Sequence, residues 1–474
     1  YRESDPYKDK KYNPETTQDF SNSEIKKVVW RAGGLENFKE GGGLWFAENK
    51  EDVEKFALSV RGEKREGKPY YINLENPILN LLAKMERTGI AVDRKALENE
   101  ASHFKSIVEA ETKQAHSAAG KEFNVNSPKQ LQAILFDDLG LPKTKKNKTG
   151  YTTDAESLQW LYEKSKHPLL QNLLRIRETS KLLSVIEGLV TAVAKDGRIH
   201  TEFQQTIAAT GRLSSTNPNL QNIPVRTEEG RRLRTHFIPQ KPFTKLMTAD
   251  YSQIELRIMA HLSNDKELIE AFNSGEDLHS TMASLVFGIT PSEVDPELRR
   301  RIKAMSYGLA YGLSAFGLAA QLDISTSEAN ELMQKYLERF GGIQDYLKTV
   351  VAVAKKKGYT ETMFGRRRYL PDLNQENKVR REIAERAALN APMQGTAADI
   401  IKFAMLNFET LAKRAGIKSR LLLQVHDELI FEISPGEEDD LENIVREAMG
   451  SAAKLAIPLD VNIGIGASWA EAAH

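Results

Sequence analysis

From residue 77 the apolar positions recur at helical steps. Ile78, Leu81, Leu82, Met85 and Ile90 fall mainly three and four residues apart, and Gly89 is placed to stop that helix. A second helix is predicted from Asp93 toward Gly120. Ser127-Pro128-Lys129-Gln130 reads as an N-cap with proline at the first helical position. A lysine-rich loop over 142–154 and helices over 158–165 and 169–195 complete a helical arm. After Gly197 the pattern changes: 198–207 alternates like a strand, 246–249 is a short strand running into Asp250, and 254–262 is helical. Residues 264–386 are mostly helical again. Two apolar runs, 421–425 and 429–433, form a hairpin around the turn His426-Asp427. Two α/β pieces, 198–262 and 387–474, therefore enclose a helical insertion. Residues 1–70 are polar and weakly periodic, broken by Gly41-Gly42-Gly43, with short strands expected at 44–46 and 70–72 around a helix at 51–58.

Length adds that the 474 residues exceed one compact core and fit about three domains. Apolar residues make up 40% and charged residues 28%, the balance of an ordinary globular protein. No run approaches the ~20 apolar residues that span a bilayer. The charged stretch 1–11 lacks the apolar core of a secretory signal, so a cytoplasmic protein without a membrane partner is expected. There is no cysteine, which excludes disulfides, thiolate nucleophiles and thiolate-bound zinc. Net charge is zero, yet basic residues cluster at Lys143, Lys145, Lys146 and Lys148, and at 299–303, 355–357 and 366–368. Each run alone reads equally well as a solvated face; several runs flanking a carboxylate site favour a polyanion.

The candidate carboxylates are Asp250, at the end of an apolar strand, and Asp427, at the tip of an apolar hairpin with Glu428 beside it. Carboxylates at buried strand ends are costly unless a positive charge binds there, although turn aspartates are also ordinary turn formers. Magnesium takes oxygen ligands, commonly one or two carboxylates plus substrate phosphates. Arg299, Lys303, Tyr307 and Tyr311 recur every fourth residue and share one broad helical face. Two cations followed by two aromatics suit a nucleoside triphosphate, and suit equally an amphipathic helix with a basic end. Gly308 and Gly312 beside the tyrosines point to close approach or hinging. The stretch 210–224 (Thr210-Gly211-Arg212-Leu213-Ser214-Ser215, then Asn217 to Pro224) is a polar loop rich in donors, and Asn390 and Gln394 lie one helical turn apart. Such donors suit minor-groove acceptors common to all base pairs.

Together these segments resemble the family A DNA polymerases, the group that includes the large fragment of bacterial DNA polymerase I. Asp250-Tyr251-Ser252-Gln253-Ile254-Glu255-Leu256-Arg257 looks like that family's motif A, Arg299 to Gly308 like motif B, and Gln424-Val425-His426-Asp427-Glu428 like motif C. The likeness covers about 77–474 in the family's order, with an actinobacterial-type body and C-terminus. It implies an α+β, right-hand fold: a palm of antiparallel sheet in two parts (198–262 and 387–474), helical fingers (263–386), a helical thumb (77–197) and a small N-terminal extension (1–76). It implies a template-directed DNA polymerase and expected monomer, working on primer–template DNA and dNTPs with two Mg2+ ions, for which Mn2+ can substitute. A preference for RNA template, or an inactive DNA-binding scaffold, are the alternatives.

By the same likeness, Asp250, Asp427 and the Tyr251 carbonyl hold the ions and Glu428 supports the primer terminus. Arg299, Lys303 and His279 meet the triphosphate, Tyr307 the sugar, Tyr311 the templating position, and Gln253 lies beside the nucleotide. Glu255 resembles the steric gate that excludes a ribose 2′-hydroxyl. Arg212, Asn219, Gln221, Asn222, Asn390, Gln394 and His426 face the duplex, Arg386 the template backbone, and the four thumb-tip lysines the duplex phosphates. Two features depart from much of the family. Tyr307 stands where many members have phenylalanine, which implies tolerance of dideoxynucleotides. Only 76 residues precede Pro77, and neither strand expected there carries an Asp-x-Glu pair, so no 3′–5′ proofreading is expected.

Overall fold

The computed structural model describes residues 28–30, 45–47, 74–224, 227–310 and 312–473. In the N-terminal extension, Val28–Trp30 pairs antiparallel with Trp45–Ala47. The helix expected over 51–58, the strand over 70–72 and Tyr311 lie outside the described residues.

The arm forms where its caps place it. Helix α1 (Asn76–Thr88) ends as the Gly89 N–H donates to the Met85 carbonyl, 2.8 Å away. Helix α2 (Arg94–Ala119) begins under Asp93, whose carboxylate accepts from the Ala96 N–H at 2.9 Å, and ends at Gly120 in the left-handed region. Helices α3 (Ala155–Ser165) and α4 (Pro168–Ala192) follow. The outer half of the arm has its own core, including Leu131, Leu135, Leu158, Leu161 and Leu169. Its inner end, with Leu97, Phe104, Ile186 and Leu189, belongs to the main core. The lysine-rich segment is not a plain loop: Lys146–Asn147 pairs with Gly150–Tyr151 across a turn in which the Asn147 side chain accepts from the Thr149 N–H at 2.8 Å.

The strand expected over 198–207 survives only as Arg198–Ile199 and Glu202–Gln204. Between them the Thr201 hydroxyl bonds the Ser215 hydroxyl (2.6 Å) and the Pro218 carbonyl (2.8 Å), binding the chain to the following loop. Arg198 is buried, paired with the buried Glu432 at 3.0 Å and donating to the carbonyls of Thr88 and Gly89. These bonds fasten the base of the arm to the sheet.

Strand β1 (Lys245–Tyr251) leads into helix α5 (Ile254–Ser263). The helical insertion includes α6 (Leu278–Phe287) and α7 (Pro296–Ala310), and a short hairpin, Tyr359–Glu361 with Arg367–Tyr369, that the apolar pattern did not predict. Helix α8 (Lys378–Ala415) runs unbroken across the boundary expected at 386/387. Strands β2 (Arg420–Val425), β3 (Glu428–Ile433) and β4 (Val461–Gly466) complete a sheet of order β2-β3-β1-β4, antiparallel throughout. On β1 to β3 the apolar residues form runs rather than alternating, because both faces of the sheet are covered. Phe408 of α8 packs edge-on against Phe431, with centroids 4.8 Å apart, and the Thr248 hydroxyl donates to the Ala472 carbonyl at 2.6 Å.

Candidate active site

The sheet order makes the site. Because β3 pairs with β1, Asp250 stands opposite Glu428, and the tip of the β2–β3 hairpin comes level with the end of β1. The tip is tight: His426 takes φ +56°, and the Tyr251 N–H points at the Asp427 carbonyl, 3.5 Å away. Asp250, Asp427 and Glu428 thus converge from two distant parts of the chain. Their surroundings do not neutralise them. Burial, and then the charge of Asp427, push the Asp250 carboxyl up to about 6. Burial pushes Glu428 up to about 7 and raises Asp427 as well. The nearest cations stand off: Arg212 is 3.9 Å from Asp427 and Arg234 is 4.0 Å from Glu428.

Among the described residues no three acidic or histidine side chains form a ready-made metal cage. A pair of under-neutralised carboxylates beside a backbone carbonyl fits Mg2+, which completes its shell with water and substrate phosphate. Sign matters for stability. A carboxyl whose folded value is raised costs the fold stability where it is ionised, and that cost disappears as pH falls through about 6 toward the ordinary carboxylate value near 4. Asp250→Asn is therefore expected to stabilise the metal-free chain at pH 8 by roughly 1–2 kcal/mol, shrinking toward zero near pH 4.5, as measured by urea unfolding.

Helix α7 carries Arg299, Lys303 and Tyr307 of the expected stripe. Tyr307 is half-buried; burial and then the charges of the neighbouring Glu255, Asp427 and Asp250 raise its phenol. The His279 ring of α6 lies 5.9 Å from the Tyr307 ring. Burial drives that imidazole down to about 4, opposed by Asp277 and reinforced by Lys303 and Arg299. Arg299 is already engaged, forking onto Asp277 at 2.9 and 2.8 Å. Lys303 is exposed and makes no ion pair among the described residues. Gly312 takes φ +65°, and a Cβ there would stand 3.2 Å from the Arg386 Cα, so the end of the stripe abuts α8.

The polar loop reaches the same place. Arg212 donates to Glu255 at 2.9 Å; Glu255 is buried in the first turn of α5. The Gln221 amide donates to the backbone and side chain of Gln424, each at 3.2 Å, and Asn219 caps the 3₁₀ turn Leu220–Asn222. Asn222 instead lines a cavity of about 220 Å³ on the arm side, with Phe104, Arg175 and Thr179. Asn390, Gln394 and the exposed Arg386 share one face of α8. His426 is exposed at the hairpin tip. The four lysines are exposed at the far end of the arm, Lys143 and Lys146 lying over Tyr151 at 5.3 and 5.8 Å. Arg212 Nε, Gln253 Oε1, His279 Nδ1 and Asn390 Oδ1 are buried without hydrogen-bond partners among the described residues. Other such atoms, among them those of Thr179, Tyr346 and Thr360, lie on residues with no expected ligand role, so burial without a partner does not by itself mark the site.

The family model for DNA polymerase family A matches residues 94–471, the arm from α2 onward, the sheet and everything between. The chain belongs to DNA polymerase family A. It is 59% identical over 401 residues to DNA polymerase I of Mycobacterium bovis, covering 85% of this chain and 44% of that protein. To DNA polymerase I of Geobacillus stearothermophilus it is 45% identical over 401 residues, 84% of this chain and 46% of that protein. The chain thus spans about half the length of the curated relatives it matches. Among solved structures, the POL domain of Pol1 from M. smegmatis, in complex with DNA primer-template and dNTP, is 61% identical. It superposes with a TM-score of 0.80 over 85% of this chain and 71% of that one. In the terms of a family A polymerase, the four-stranded sheet is the palm, the insertion with α6 and α7 the fingers, and the arm the thumb.

Sequence reasoning missed several residues of this family A site. Arg234 is buried 4.0 Å from Glu428, with its guanidinium 4.0 Å from the ring of Trp469. Its signal was the run Arg231-Arg232-Leu233-Arg234, whose last arginine follows the apolar period inward. Asp277, the partner of Arg299, gave only the signal of an N-cap. Three of the four basic runs are partly engaged within the chain, whereas Lys143, Lys145, Lys146 and Lys148 stay exposed. Arg300 and Arg301 are held by Glu297, Lys355 by Glu385, and Arg366 is buried in ion pairs with Glu75 and Asp399.

Proposed function

We propose that this chain is a DNA-directed DNA polymerase that extends a primer 3′ end with deoxynucleotides by a two-metal-ion mechanism. The observation that carries the reading is the convergence of Asp250 and Asp427 at one end of the sheet, facing Tyr307 on the fingers helix. The similar M. smegmatis domain was solved with primer-template and dNTP, which supports the choice of substrates. Asp250, Asp427 and the Tyr251 carbonyl would hold two Mg2+ ions, or Mn2+ in their place. When bound, such ions lower the pKa of an attacking hydroxyl and stabilise the leaving oxygen of an in-line displacement.

The chain's own groups supply position and charge. Lys303, exposed and without an ion pair among the described residues, offers its ammonium to the triphosphate, and Arg299 exchanges Asp277 for phosphate oxygens. His279, kept neutral by burial, donates a hydrogen bond without adding charge. Tyr307 lies against the sugar, Tyr311 against the templating base, and Gln253 offers its orphaned amide oxygen. Glu255, pinned by Arg212, fills the space of a ribose 2′-hydroxyl, and Glu428 steadies the primer terminus. Arg212, Asn219, Gln221, Asn222, Asn390, Gln394 and His426 would line the duplex groove, Arg386 the template backbone, and Lys143, Lys145, Lys146 and Lys148 the phosphates upstream. We assign the thumb to 77–197, the palm to 198–262 and 387–474, and the fingers to 263–386, in a monomer that acts in the cytoplasm of a bacterium or a phage-infected cell. Among the described residues no helix is long and apolar enough to cross a membrane.

Primer extension tests the reading: templated addition of dNTPs that needs Mg2+ or Mn2+ supports it, and addition that ignores a chelator overturns it. Two further outcomes follow from the same gel. Dideoxynucleotides are expected to compete well, because the Tyr307 hydroxyl can replace the missing 3′-hydroxyl. Tyr307→Phe is expected to raise discrimination against them at least about tenfold, the worth of one buried hydrogen bond. A mismatched 3′ end incubated with Mg2+ and no dNTP is expected to keep its length; shortening would contradict the absence of proofreading in this chain.

A further inference from the structure

Beneath the loop that carries Arg212 lies a group of four charged side chains that the proposed reaction does not use. The Arg366 guanidinium donates to Asp399 through Nε at 2.8 Å and pairs with Glu75 through Nη2. Lys402 donates to the same Glu75 carboxylate at 2.7 Å, and the Thr362 hydroxyl bonds Asp399 at 2.8 Å. All four are buried: Glu75 1%, Asp399 0%, Lys402 0% and Arg366 8% exposed. With two charges of each sign the quartet is neutral, so its desolvation cost is offset by pairing rather than by solvent. It joins the lead into the thumb (Glu75), the 359–369 hairpin (Arg366) and the long palm helix (Asp399 and Lys402).

The active-site loop rests on it. Gly211 takes φ +84°, and a Cβ there would lie 2.4 Å from both Cζ and Nε of Arg366 and 2.7 Å from Nη1. The bare glycine therefore sits on the guanidinium. From the helix side, a Cβ on Gly395 would stand 2.6 Å from the Thr362 Cγ2 and 3.2 Å from the Thr210 carbonyl oxygen. Thr210 and Gly211 are thus held between the guanidinium and a helix glycine. The next residue, Arg212, fixes Glu255 at 2.9 Å and stands 3.9 Å from Asp427.

We propose that Arg366, fixed by Glu75 and Asp399, is a positioning residue for nucleotide selection: it seats Gly211 and thereby sets where Arg212 holds the gate Glu255. The inference rests on the polymerase reading above. An arginine suits the role because its planar fork is oriented by its two acidic partners, whereas a lysine ammonium would leave the seat's plane undefined.

The test is single-nucleotide insertion by the full chain with matched dNTP and rNTP, for Gly211→Ala, Arg366→Lys, Arg212→Ala and the pair Gly211→Ala/Arg212→Ala. Gly211→Ala is expected to lower kcat/KM for dNTP by about 10- to 100-fold, the scale of a misplacement near 1 Å. It also lowers the dNTP-to-rNTP preference. In the Arg212→Ala background the same change is expected to cost less than about twofold, because the loop acts through Arg212. Arg366→Lys shifts the preference in the same direction, and decides the matter if Gly211→Ala fails to fold. A purely structural quartet would give lower unfolding midpoints with an unchanged dNTP-to-rNTP ratio, or equal losses in both backgrounds; either result overturns the proposal. Absence of nucleotide addition by the parent chain would instead sink the polymerase reading itself.

Discussion

Asp250→Asn and Asp427→Asn are each expected to slow single-turnover nucleotide addition by at least about a thousandfold, with primer–template affinity within a few-fold of the parent. Asparagine keeps the shape of the side chain and removes the charge. In this site positive charge is the scarce quantity: among the described residues the three carboxylates pair only with Arg212 and Arg234, at 3.9 and 4.0 Å. The register that sets Asp250 opposite Glu428, one residue from Asp427, makes the pair one unit. Removing both is therefore expected to cost little more than removing either, as for other catalytic groups that act together. The DNA contacts proposed above lie on the loop, α8 and the thumb tip, so binding is expected to survive; gel-shift titration beside rapid-quench kinetics separates the two effects. Equal loss of binding would show that the aspartates serve folding instead.

The second large effect belongs to Glu255. It is 5% exposed at the start of α5, and Arg212 pins its carboxylate at 2.9 Å, so the proposed gate is held in place without a nucleotide. Glu255→Ala opens the space that a 2′-hydroxyl would need. The preference for dNTP over rNTP is expected to fall by about 100-fold or more, mostly through faster rNTP insertion. Matched dNTP insertion also slows, because Arg212 loses its partner and is free to swing toward Asp427. Glu255→Gln keeps the bulk and is expected to retain most of the preference. A gate that worked by charge alone would instead fail in both variants.

What could be read from the chain follows the length and regularity of each element. Helix ends announced themselves through caps: Asp93 and Gly120 bound a long helix and Ser127 starts a short one, each doing the work its residue type predicts. The hairpin at His426-Asp427 was legible from two apolar runs around a polar turn. Which strand lies beside which was not legible. The position of β1 between β3 and β4 brings Asp250 and Asp427 together, and no local pattern encodes that neighbourhood; only the family resemblance supplied it. Short elements escaped for a related reason. A two-residue strand such as Lys146–Asn147 has no period to detect.

Charge was the least legible property. Arg366 and Lys402 look like solvent-facing cations in the sequence, yet each is buried on an acid that is distant along the chain, Glu75 being 291 and 327 residues away. A run of like charges shows where cations are attached and says nothing of what neutralises them. Arg299 makes the same point within the site, since its partner Asp277 comes from the preceding helix.

The most direct test of the carboxylate pair counts ions rather than products. Electron paramagnetic resonance of Mn2+ titrated into the chain, with a dideoxy-terminated primer–template and the next matched dNTP, reports the ions bound in the stalled complex. The parent is expected to bind two tight Mn2+ ions per complex, and Asp250→Asn or Asp427→Asn to lose at least one while still holding the DNA. Unchanged Mn2+ stoichiometry and affinity in both variants would contradict the account, whatever their rates.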